Sequence, residues 1–328
     1  MPTSSSLGTI NMGAHSHANA MRGSFAPNQL RALVASSALE LAQPTATAVA
    51  VSGQTLPRAC LTLFNLLMFS FHAALAAITL AFSNRALSVP LYKTVLDFRF
   101  FNETTEAGAW ELIPSFERSG SLPLTALTAA FFILSALFHL LNATLLRGYY
   151  LSELAQCRTP TRWVEYFLSA PVMIVLIAYM LGVRDRASIL ATAVLVAITM
   201  PFGYWVEQIA RPASPEAWTR PLGVRLLPWV VGHVPQTTAW LIILLQFYDG
   251  TADSSDRTPD FVHVILWAQL VLFFSFGAAS LLSQLQPPRL FYRGELLFQV
   301  LSLVSKGLLG GLLIANVLVL SSFEELYE

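Results

Sequence analysis

Lys306 stands near the middle of a long apolar run, Leu296–Ser322, and the only other lysine in the chain is Lys93. An unpaired ammonium at the centre of a membrane helix costs roughly 2.5–3.5 kcal/mol on insertion scales. From Lys306 to either end of the run is on the order of 15–20 Å at the helical rise, too far for a lysine to snorkel. The amine must therefore be paired, neutralised or covalently capped. Only two acids fall inside apolar runs of comparable length beyond the first residue of the run, Glu165 and Glu207. Glu165 sits in Thr161-Arg162-Trp163-Val164-Glu165-Tyr166, with Ser169 one turn further along its face, and Ser302 precedes Lys306 by four residues. Two chemistries suit a buried amine facing a buried carboxylate. One is an ion pair that fixes the register of a helix bundle; the other is a Schiff base between the lysine and an aldehyde.

Those residues need helices to carry them. The chain has 328 residues, of which 55% are hydrophobic and only 12% charged, with no net charge. That charge content is about half the usual for a soluble domain and excludes nothing so clearly as a soluble protein. The neutral balance gives no reason to expect nucleic acid as a partner. Seven segments are long and apolar enough to cross a bilayer, at 60–82, 122–146, 161–183, 187–208, 226–248, 261–285 and 295–321. The expected fold class is all-α, a seven-helix membrane bundle over 58–323, preceded by a disordered N-terminal tail over 1–57 and followed by an acidic end, 324–328. A cleaved organelle-targeting segment is the other reading of that Ser-rich, nearly acid-free tail. Pro171, Pro201, Pro228 and Pro235 fall inside spans, which membrane helices tolerate. The connector 83–121 is too long and too aromatic for a simple turn, so it reads as an ordered loop, with a strand pair as one form.

Seven spans put the termini on opposite sides. With the N-terminus inside, eleven arginines from Arg22 to Arg293 lie at inner segments, against seven basic residues from Arg85 to Arg257 outside. The positive-inside rule thus predicts a cytoplasmic N-terminus and an outside C-terminus. The sequon Asn102-Glu103-Thr104 then lies outside, and Cys60 and Cys157 face the reducing side, read as small apolar residues near helix ends.

The combination resembles a known family. Arg162-Trp163-Val164-Glu165-Tyr166-x-x-Ser169-Ala170, Ser302-x-x-x-Lys306 and the inverted topology resemble the heliorhodopsins over about residues 58–323. The resemblance implies all-trans retinal bound as a Schiff base on Lys306, with Glu165 as counterion and His72 and His139 in a polar, proton-accepting cavity. It also implies a homodimer and an unidentified downstream signalling partner, and no enzymatic activity. Ser169 and Ser302 are expected either to tune the pair or to bond a carbonyl one turn back. Tyr166 stands beside the site or packs; Arg162 is expected to snorkel at the cytoplasmic boundary. Asn142 extends the polar stripe of His139, and the two histidines either hold a proton or pack in hydrogen-bonded positions. Candidates for lining the polyene slot are Met173, Met200, Trp240, Trp267, Phe273, Phe274 and Phe276. Gly307-x-x-x-Gly311 reads as a close-packing face. No His/Cys cluster with ligand spacing appears, so no metal is expected. The resulting function is a photoreceptor with a slow photocycle. The alternative is a light-gated proton channel or transporter with Glu207 as a station, unless Glu207 is only an interfacial carboxylate. In a third class, the pair is purely structural and no chromophore binds.

Overall fold

The computed structural model describes residues 57–101, 109–210, 221–252 and 258–320; of residues 98–101, 109–112 and 289 only the backbone is described. The tail 1–56, the sequon and the acidic end lie outside the described residues. Among the described residues, seven helices are long and apolar enough to cross a membrane. They are α1 (Arg58–Phe82), α2 (Leu124–Ala143), α3 (Pro160–Met180), α4 (Arg186–Ala210), α5 (Leu227–Thr251), α6 (Asp260–Leu285) and α7 (Phe291–Leu313). α7 runs on into a π-helical turn, Ile314–Leu318. A short helix, Arg147–Ala155, lies between α2 and α3.

Each helix turns one stripe inward. On α1 the buried residues are Leu61, Asn65, Met68, His72, Ala76 and Thr79, spaced by three and four, while Leu63, Phe71 and Phe82 face outward. Pro228 proves to lie in the first turn of α5, where a missing N–H costs nothing, rather than inside a helix. Pro171, Pro201 and Pro235 are interior to α3, α4 and α5.

The fold is not purely helical. The connector between α1 and α2 holds two antiparallel strands, β1 (Ser88–Phe101) and β2 (Ala109–Pro123). Their register sets Lys93 against Glu117, whose side chains pair at 3.0 Å. The base of this ribbon belongs to the bundle: Leu87 and Val89 are buried with Leu124, Ile177, Leu309 and Leu313 in the main core. Backbone bonds from Tyr92 N to Arg184 O (3.0 Å) and from Asn84 N to Leu318 O (2.6 Å) fasten it to the ends of α3 and α7. The ribbon end of the bundle is therefore closed by aliphatic packing. The opposite end, where α1, α3, α5 and α7 begin, is called the far end below.

In the Gly307–Gly311 stretch of α7 the close approach is at Gly310 rather than at Gly307 or Gly311. A Cβ on Gly310 would stand 2.4 Å from Phe132 Cζ, and Phe132 is fully buried. A Cβ on Gly307 would meet only Leu75 at 4.0 Å, and one on Gly311 would meet nothing within 4 Å. Gly310→Ala is expected to destabilise the bundle by about 1–2 kcal/mol, overpacking outweighing the gain in helix propensity. Gly311→Ala is expected to be neutral or stabilising by up to about 1 kcal/mol. Thermal unfolding of both variants in one detergent checks the contrast, and equal midpoints would sink it.

Candidate functional site

α3 and α7 each project one charged side chain into the middle of the bundle. Lys306 is 2% exposed and Glu165 4%. The Lys306 Nζ donates to Glu165 Oε1 at 2.8 Å, to Ser135 Oγ at 2.5 Å and to Ser302 Oγ at 3.0 Å. Ser135 in turn donates to the same carboxylate oxygen at 2.6 Å. The Tyr166 ring lies beneath the ammonium, 5.2 Å from centroid to nitrogen, adding a cation–π contact. An ammonium has three protons, and all three find acceptors here. A buried ion pair offsets its desolvation cost only when its remaining hydrogen bonds are made, and this one makes them.

The serines divide. Ser302 contacts the lysine, whereas Ser169 is fully buried, lines the adjoining cavity and its Oγ has no hydrogen-bond partner. Ser135 was absent from the residues expected at the site. The signal for it is the spacing Ser135, His139, Asn142 on α2, one polar face at i, i+4 and i+7.

His72 and His139 stack face to face, with ring centroids 5.6 Å apart and planes 4° from parallel. His139 Nδ1 is 3.0 Å from Asn65 Oδ1, so it is Asn65 that orients it; Asn142 is buried beside it with Oδ1 unpartnered. Both ring nitrogens of His72 and Nε2 of His139 lack partners within the protein. This polar patch lies between the Lys306 site and the far end.

At the far end the expected roles of two residues are overturned. Arg162 does not snorkel: it is 4% exposed, bonding Glu295 at 2.6 Å and also pairing with Glu207. Glu207 is no interfacial carboxylate either, being 1% exposed. It accepts from the Thr159 backbone N–H at 2.7 Å and the Thr159 hydroxyl at 2.8 Å as well as from Arg162. Glu295 was missed because it is the first residue of its apolar run and so looked like a boundary group; α7 begins four residues earlier, at Phe291. That places the acid inside the first turns, where Tyr150 (3.2 Å) and Gln299 (2.9 Å) also donate to it. Burial and then Glu295 hold the Tyr150 hydroxyl well above the usual phenol range, so it serves as a donor. Arg162 also packs over the Phe298 ring at 3.7 Å, and Tyr166 donates to Phe298 O at 3.1 Å.

Beside Lys306 opens a cavity of roughly 830 Å³, its open mouth included. Tyr166, Met173, Met200, Phe273, Phe274, Phe276 and Phe298 give it an apolar, aromatic wall. Two expected wall residues are elsewhere. Trp267 is 51% exposed on the outside of α6, and Trp240 is buried against Phe273 without reaching the cavity lining. Among the described residues there is no cluster of three or more metal-ligating side chains. The donor set is thus one primary amine, one carboxylate and an apolar slot, which fits an elongated apolar aldehyde.

No curated protein sequence matches the chain. Among solved structures it is similar to a light-driven proton pump from Leptosphaeria maculans, at 11% identity and TM-score 0.44, covering 80% of this chain and 95% of that one. It is also similar to Exiguobacterium sibiricum rhodopsin, at 14% identity and TM-score 0.49, covering 81% and 98%. Residues 61–318 match the heliorhodopsin family model. With most of its length matched, the chain belongs to the heliorhodopsin family and is a retinal-binding rhodopsin of the membrane.

Proposed function

We propose that this chain is a photoreceptor that uses retinal on Lys306 to sense light and relaxes slowly enough to signal to a partner. The observation that carries this is the Lys306–Glu165 pair, at 2.8 Å, opening onto the aromatic cavity. All-trans retinal, joined to Lys306 as a protonated Schiff base, would supply visible absorption and a light-driven change of shape. The rest is done by the chain. The Glu165 carboxylate stabilises positive charge on the Lys306 nitrogen, since an opposite charge within about 4–6 Å favours the charged form. Ser135 and Ser302 orient that nitrogen, and Tyr166 and Met173 hold the polyene beside it. His72 and His139, with Asn142 and Asn65, offer unpartnered imidazole nitrogens where a proton leaving Lys306 can rest.

The orientation follows the charge distribution of the sequence: N-terminus cytoplasmic, ribbon end outside, far end inside. A tail over 1–57, a bundle over 58–323, a homodimer and a downstream partner belong to this reading on the strength of the resemblance. The far end, where Arg162 ties α3 to α4 and α7, is the natural place for output to the cytosol.

The rival reading is a proton channel or transporter with Glu207 as a station. Burial of Glu207 inside the membrane favours it. Against it stands the ribbon half of the bundle, where the core is Leu87, Val89, Leu124, Ile177, Leu309 and Leu313. Among the described residues no buried charged or histidine side chain lies there to carry a proton outward.

Three outcomes are expected. Full-length protein given all-trans retinal forms a visible band, and Lys306→Ala does not; colour in that variant would remove the lysine from the role. Glu165→Gln absorbs at longer wavelength, because the balancing negative charge is gone, and an unchanged spectrum reassigns the counterion. Voltage-clamped cells expressing the pigment show no sustained photocurrent. A light-evoked current abolished in Glu207→Gln would replace the sensor by the conductance.

A further inference from the structure

Retinal has one polar end, at Lys306; the remainder of the molecule is hydrocarbon. The cavity wall facing α7 is nonetheless not purely apolar. α7 packs on α1, α2 and α6, whereas α5 packs on α4 and α6 and supplies the opposite wall. There, Gln236 is 5% exposed and lines the cavity, and its Oε1 has no hydrogen-bond partner. A buried amide oxygen without a donor is destabilising, so the side chain calls for one.

His233 lies three residues earlier on the same face of α5 and lines the same cavity. Its Nδ1 is 2.7 Å from the Trp229 carbonyl oxygen. A carbonyl only accepts, so Nδ1 carries a proton and donates it to Trp229. Nε2 reaches the α6 wall at Gly277, where a Cβ would stand 2.4 Å from it. Gln236 Oε1 is therefore the unmatched acceptor on this wall, with His233 beside it and turned towards α6.

The cavity is also widened there by design of the backbone. A Cβ on Gly203 would lie 2.1 Å from the Trp163 ring, and one on Gly232 would lie 2.7 Å from Phe202 Cβ. The bare glycines let Trp163, Phe202 and His233 settle against neighbouring helices instead of filling the cavity.

We propose that this site selects a retinal whose cyclohexene ring bears a hydroxyl group, which donates its hydrogen bond to Gln236 Oε1. The proposal rests on the retinal reading above. Unsubstituted retinal leaves the Gln236 oxygen unsatisfied, whereas a ring hydroxyl fills it.

The test is a competition. Full-length apoprotein is offered equal amounts of all-trans retinal and all-trans 3-hydroxyretinal, and the bound chromophores are extracted and quantified. Wild type is expected to favour the hydroxylated aldehyde about tenfold, the equivalent of one net hydrogen bond. Gln236→Leu is expected to form pigment with retinal as before and to lose that preference. Equal uptake by wild type overturns the proposal, as when a water donates to Gln236 instead. An undiminished preference in Gln236→Leu overturns it too. The wild-type arm needs no variant, so it decides even where Gln236→Leu fails to fold. Pigment with neither aldehyde is a different failure, that of the retinal reading itself.

Discussion

A lysine and a glutamate held away from water impose conditions on everything near them. The Lys306 ammonium and Glu165 carboxylate attract strongly in a medium of low dielectric, but each loses its hydration, and that loss must be met by placed acceptors and donors. Ser135 and Ser302 meet it within hydrogen-bond distance. The pair also fixes geometry, because its two partners come from α3 and α7. Those helices are bridged by side chains at three points: Arg162 to Glu295, Tyr166 to the Phe298 carbonyl, and Glu165 to Lys306. Three bridges spaced along two helices leave no freedom for one helix to slide past the other. Between the bridges and the walls of α4, α5 and α6, the cavity is what the side chains leave open.

The two halves of the bundle follow different rules. Towards the ribbon, Leu, Ile and Val from β1, α2, α3 and α7 close the core, and β1 itself contributes Val89. Towards the far end, buried polar groups accumulate: Asn65, His72, His139, Asn142, then Tyr150, Gln299 and the Arg162 cluster. A sealed half and a polar half suit a device that keeps a displaced proton within itself better than one that passes it across.

The sequence carried the large features for physical reasons. Hydrophobic length marks a span whatever its neighbours are, and a charge in such a span is too costly to be incidental, so the seven helices, Lys306 and Glu165 were legible. Facing relations were not. Trp267 and Phe273 are both aromatic residues of α6, yet one faces outward and the other the cavity, because a helix apolar on all sides does not announce its inner face. Arg162 near a helix start looks like a snorkelling residue until Glu207 and Glu295, from two other helices, are known to meet it. Ser135 was hidden because a serine in an apolar helix usually bonds its own backbone. Glu295 was hidden because it stood at the edge of its apolar run, whereas the helix starts a turn earlier and carries it inside.

The far end is joined across helices as the central site is. Lys306 and Glu165 cancel. Below them, Arg162 faces both Glu207 and Glu295, one positive charge against two negative. Every oxygen of those two carboxylates already accepts: Glu207 from Arg162 and from the amide and hydroxyl of Thr159, Glu295 from Tyr150, Gln299 and Arg162. With donors on all four oxygens, both carboxyl groups can stay out of water, and Arg162 locks α3 to α4 and α7 at this end. The core of the bundle is thus held by two buried polar joints, Lys306 with Glu165 and Arg162 with Glu207 and Glu295, both on α3 and α7, so neither helix can shift without breaking both.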